Sequence, residues 1–181
     1  MFLSLGFEAT SCEQVAAQAG CGKASIYARY ANKGELFAAT IRHLLATSDF
    51  TSTEAAPRSP RRDRLISVCG AVLEAALSAR AVQFKRLLVA EASRFPDLVA
   101  RTAQDLRARA VSQLARALDG GTTDPTTPAW AVAAKLIDVA STPLELSALL
   151  GEELPAVRSR VPSQVEAAVT MLTRAGVLNK P

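Results

Sequence analysis

Histidine is almost missing from this chain. His43 is the only one among 181 residues. That shortage removes most metal and acid–base chemistry at once. A zinc site draws on several Cys or His ligands at short spacing. Neither Cys12 nor Cys21 has such a neighbour, and no nucleophile–base pair with defensible spacing is visible. The chain is therefore read as a non-enzyme with no cofactor and no metal. Cysteines number three, Cys12, Cys21 and Cys69. An odd set without a framework argues against a secreted disulfide scaffold, and Cys69 reads as a small buried hydrophobe. Aromatics make up only 5%, too few for a typical β sandwich. No apolar run approaches the roughly 20 residues of a membrane span, and Met1–Leu5 lacks the basic leader of a signal peptide. A cytoplasmic protein without membrane attachment is expected.

What is abundant is apolar and helix-forming. Hydrophobic residues make up 49%, and Ala, Leu and Val dominate. Net charge is +4 with a pI near 9.3. This permits a polyanionic partner without demanding one. Apolar residues recur at helical spacing through most of the chain, and no segment keeps strand alternation. The expected fold class is all-α, with a short helix-turn-helix N-terminal domain and a larger helical-bundle domain for regulation and dimerisation.

The boundary is expected near residue 46. Residues 1–46 read as a bundle of short helices, and residues 47–181 as the larger domain. Thr51–Pro60, TSTEAAPRSP, is polar and broken by two prolines, which suits a linker. Ser59-Pro60 then starts a helix over 61–79. Further helices are expected over Val82–Phe95, from Pro96 to Leu118, over Pro128–Leu150 with a possible kink at Pro143, and over Pro162–Ala175. Trp130 is assigned to the core or a dimer seam, and Arg61, Arg62 and Arg64 to a solvated face.

Chemistry concentrates in Ala9–Leu36, ATSCEQVAAQAGCGKASIYARYANKGEL. Thr10 and Ser11 are each followed three residues later by Glu13 and Gln14, a capping box in either register. Ala16 and Ala19 let a second helix approach closely. Gly20-Cys21-Gly22 supplies a sharp turn. On Lys23–Tyr30, Ile26 and Tyr30 stand four apart and face inward. Lys23, Ala24, Ser25, Tyr27 and Arg29 are left for the outer face. Such a face suits DNA. Lys23 and Arg29 neutralise phosphate or donate to guanine, Ser25 meets a base edge, Ala24 meets a thymine methyl, and the Tyr27 hydroxyl meets a phosphate. Thr10, Ser11 and Lys33 lie where flanking helices begin, and backbone N–H groups there also favour phosphate.

These residues carry a resemblance. Gly6-Phe7, Ala9-Thr10, Val15-Ala16, Ala19-Gly20, Lys23, Ile26-Tyr27, Tyr30, Lys33 and Leu36 match, in order and spacing, the DNA-binding signature of TetR-family transcriptional regulators. The segment AEASRFPDL, Ala90–Leu98, resembles part of some regulatory domains of that family. The resemblance implies a homodimer that places one recognition helix per subunit on a palindromic double-stranded operator. It implies dimerisation through the last two long helices and release of DNA by a small-molecule effector, most often in repression. An apolar or amphipathic effector fits the Ala/Leu/Val-rich helices, and Gln83, Arg94 and Gln104 are the candidate polar pocket groups.

The chain departs from the family pattern in three places. Gly22 stands where a capping serine is usual, Cys21 replaces a small apolar residue, and the first helix is reduced to Met1–Leu5. Residues 1–46 hold only Lys23, Arg29, Lys33 and Arg42 against Glu8, Glu13 and Glu35. A second reading therefore stays open: a dimeric small-molecule-binding or interaction protein that no longer reads DNA.

Overall fold

Helix starts are where this sequence is most explicit. In the computed structural model, which describes residues 1–47, 60–119 and 124–177, several helices begin at a side-chain cap. Ser11 opens α2 (Cys12–Gln18), Asn32 opens α4 (Lys33–Ala46), and Thr127 with Pro128 opens α8 (Pro128–Leu149). In each case the side-chain oxygen accepts one of the backbone N–H groups that the first helical turn leaves unpaired. Between them lie α1 (Phe2–Leu5), α3 (Lys23–Arg29), α5 (Arg61–Ala76), α6 (Ala79–Glu91) and α7 (Pro96–Asp119). Two more close the described residues, α9 (Leu154–Ser159) and α10 (Val161–Arg174). All the regular structure among the described residues is α-helical. None of these helices is by itself long and apolar enough to cross a membrane.

The chain divides into two compact units. Met1–Ser48 joins with Gln83–Gln104, and Asp49–Val82 joins with Asp105–Pro181. The first unit is held by aromatics. Phe2 and Phe7 pack edge-on against Phe37, at 5.2 Å between ring centroids in both pairs, and Phe95 lies 5.1 Å from Phe7. Phe95 ends the turn after α6, so the RFPDL segment supplies core to the N-terminal helices. Its sequence distance from them hid this.

The second unit is an aliphatic bundle. Leu65, Leu73, Leu114, Leu136, Val165 and Val169 are all buried in one continuous cluster, and Trp130 packs partly buried against it. Cys69 belongs to the same cluster. Burial pushes its thiol up to about 12, since an apolar site disfavours the thiolate.

Several expected bounds move. The helix read as Val82–Phe95 begins at Ala79 and stops at Glu91. The Ser78 hydroxyl accepts from Ala81 N at 3.3 Å, and Arg94 N and Phe95 N both donate back to the Glu91 carbonyl. Pro60 is the cap residue of α5, and Ser59 lies outside the described residues. The short α9 was not foreseen, although Pro155 falls in its first turn. The linker read at Thr51–Pro60 lies outside the described residues except for Pro60.

α8 runs through Pro143. A proline there leaves the carbonyl four residues earlier, that of Val139, without its helical donor. The Gln164 side-chain amide on α10 donates to that carbonyl at 3.1 Å.

Candidate nucleic-acid interface

The candidate interface is built from α2, the turn after it, and α3. At the start of α2 the two possible capping registers are resolved in favour of Ser11. Its hydroxyl accepts from Gln14 N at 3.1 Å, while Ser11 N donates to Gln14 Oε1 at 2.9 Å. Thr10 is used differently. It is only 1% exposed, and its hydroxyl donates to the Gly6 carbonyl at 2.7 Å. Thr10 therefore holds the end of α1 onto α2, and its hydroxyl is turned away from solvent.

Cys12 and Ala16 are the buried residues of α2. Ala19, expected to pack beside Ala16, is exposed, because α2 ends at Gln18 and Ala19 is its terminal cap residue. Gly20 follows with φ +66°, a left-handed conformation that glycine adopts without cost. Cys21 is exposed in the turn. Gly22 then caps α3 without a side-chain bond.

α3 has no fully buried residue. Ile26 and Tyr30 are half-buried, as their spacing requires, while Lys23, Ala24, Ser25, Tyr27 and Arg29 are all exposed. The five outer-face residues are thus brought together on one short helix. Tyr27 stays 43% exposed. The Cys12 thiol beside its hydroxyl pushes the phenol above its ordinary value, so it remains an O–H donor at neutral pH.

Lys23 is engaged as well as exposed. Its ammonium pairs with the Glu13 carboxylate and lies 5.5 Å from the centre of the Tyr27 ring. The pairing holds Glu13 below its ordinary value and raises Lys23, so both are fully charged near neutrality. Arg29 makes no ion pair with a described residue.

Lys33, at the first position of α4, turns inward. Its Nζ donates to the Phe7 carbonyl at 2.9 Å and the Glu8 carbonyl at 3.3 Å. It also lies 4.3 Å from the centre of the Phe7 ring. Arg94 approaches the same ring at 4.8 Å and pairs with Glu8. Phe7 therefore sits between two cations, each worth on the order of 0.5–2 kcal/mol against an aromatic face. Sequence reading missed the roles of Phe7, Glu8 and Glu13, because each depends on helix crossing angles that no local pattern states.

Two family models account for nearly all of this. Residues 1–40 match the bacterial regulatory proteins of the tetR family. Residues 63–175 match the AefR-like transcriptional repressor C-terminal domain. The chain belongs to the TetR family of transcriptional regulators. The fold agrees with that of a protein described as a TetR-family transcriptional regulator from Mesorhizobium loti MAFF303099. The TM-score is 0.65 at 20% identity, over 94% of this chain and 90% of that one. No curated protein matches.

TetR-family regulators bind DNA and are not enzymes. They typically act as dimers that respond to small molecules. The candidate polar groups for an effector pocket lie at the surface. Gln83, Arg94 and Gln104 are all exposed, and Arg94 is taken up by Glu8. All three fall in the segment that joins the N-terminal unit. An open recess of about 350 Å³ is lined by Met1, Phe2, Val15, Gln18, Ala19 and Thr40, and it includes none of them.

Proposed function

We propose that this regulator is a repressor that binds a palindromic operator as a homodimer through Lys23–Tyr30. A small apolar effector then releases it. The observation that carries this reading is α3 itself. A seven-residue helix docked on α2 with no buried residue gains little from its own packing. A short isolated helix is marginal in water, and an outer face of Lys, Ala, Ser, Tyr and Arg suits a duplex groove. Thr10, Ser11 and Lys33 stand at the flanking helix starts, where Ser11 and Lys33 are half-buried and Thr10 is buried.

Residues 47–181 are proposed to supply dimerisation and effector binding. The Ala/Leu/Val bundle favours an apolar or amphipathic ligand. Dimerisation through α8 and α10 is supported by their exposed apolar residues Leu146 and Met171, with Leu150 just past the end of α8. In a two-fold dimer the half-sites lie about 34 Å apart.

A footprint on the DNA flanking the regulator's own gene tests this. The expected result is a protected near-palindrome with half-sites one helical turn apart, and a compound that raises the melting temperature should remove it. Protection without two-fold symmetry would overturn the dimeric reader. The second reading, a dimer that binds small molecules but not DNA, is favoured by one observation: Lys23 and Lys33 are both engaged within the fold. Absence of any protected site, with the dimer intact, selects it.

A further inference from the structure

Glu13 is an acid placed at the reader's edge. It occupies the second position of α2 and reaches across the turn to Lys23, the first residue of α3. Both side chains are about half exposed, at 52% and 59%. A pair so exposed contributes little to stability. Its position matters more than its strength. Lys23 is one of only two cations on α3, and Tyr27, four residues on, places its ring beneath the same ammonium. The three groups form a row, carboxylate, ammonium, phenol, along the side of α3 that the proposed function assigns to DNA.

A phosphate arriving at this row meets a cation whose charge is already shared, and a carboxylate that repels it. We propose that Glu13 is a positioning residue that holds Lys23 over Tyr27 and withholds its charge from DNA of arbitrary sequence. Arg29 and the small residues Ala24 and Ser25 must then add base-edge contacts before a duplex is retained. Glu13 trades general affinity for discrimination. The inference rests on the DNA-reading role proposed above.

The test measures binding of the full chain to a 30-base-pair random-sequence duplex by fluorescence anisotropy across a salt series. Sequence-independent binding is governed by counterion release, with a slope of log K against log salt near −0.9 per phosphate neutralised. Glu13→Gln is expected to tighten binding about 3- to 10-fold at low salt and to steepen the slope by about 0.9. In a Lys23→Ala background the same change is expected to give less than half that gain. Gln is a good helix former at an exposed site, and melting curves check that the fold is kept.

An unchanged slope and affinity in Glu13→Gln would overturn the inference. So would an equal gain with and without Lys23, because Glu13 would then be only a nearby charge. If neither the parent nor any variant binds DNA, the reader role falls and takes this inference with it. If the parent binds and Glu13→Gln behaves identically, this inference falls alone. Binding by Glu13→Gln where the parent shows none would support it most strongly.

Discussion

Lys23 and Lys33 carry the same charge in different settings. Lys23 is exposed and paired with Glu13. Lys33 is bonded to the carbonyls of Phe7 and Glu8, where it ties the end of α1 to the start of α4. Removing Lys33 should therefore affect folding as well as DNA. Lys33→Ala is expected to cost about 1–2 kcal/mol of stability in denaturant titration and to weaken DNA binding. Arg29→Ala is expected to weaken DNA binding and leave stability within about 0.5 kcal/mol of the parent. Equal stability in the two variants would show that the Lys33 bonds contribute nothing. Tyr27→Ala is expected to cost about 1–3 kcal/mol in operator affinity, read by anisotropy. Unchanged affinity would remove Tyr27 from the interface. The hydroxyl of Thr10 points into the fold, and no pattern in the sequence distinguishes it from Ser11. Only the direction of the chain leaving Gly6 makes that choice.

At the scale of elements, caps and periodicity were legible and crossings were not. Ser11, Asn32 and Thr127 open their helices as their residue types demand. Gly20 turns the chain with a positive φ. The inward pair Ile26 and Tyr30 lies where a spacing of four puts it. What stayed hidden depends on contact between segments distant in sequence: Phe95 against Phe7 and Phe37, Glu13 against Lys23, and Gln164 against Val139. The last pair explains how α8 tolerates Pro143 without losing its helical course. The proline frees the Val139 carbonyl, and the Gln164 amide fills the place of the missing N–H. Gln164→Ala is expected to destabilise by about 1–3 kcal/mol, the cost of leaving a part-buried acceptor unpaired. In a Pro143→Ala background the backbone donor returns, and the same substitution should cost less than half as much. Equal costs in the two backgrounds would show that Gln164 does not compensate the proline.

At the scale of the whole molecule, family membership carries the function, and exposed apolar residues mark the proposed pairing surface. Apolar groups that a monomer would leave in water include Leu146, Met171 and Leu150, which is 79% exposed. They lie on or next to α8 and α10, the elements proposed to pair two copies. A double substitution, Leu146→Asp with Met171→Asp, is expected to convert a dimer of 19.1 kDa chains into monomers in size-exclusion chromatography with light scattering. Operator affinity should fall with it, since each recognition helix would then bind one half-site alone. A dimer that survives both substitutions would place the interface elsewhere.

We propose that α3 of a TetR-family dimer reads a specific duplex. The most direct test is a competition titration. A labelled fragment from the DNA flanking the regulator's own gene is held by the full chain at fixed salt. Unlabelled copies of the same fragment, or a random duplex of equal length, then compete for the protein. The fragment is expected to compete at least about 1,000-fold more effectively than the random duplex, the lower range for specific recognition, with two chains per site. Equal competition by the two duplexes would contradict it.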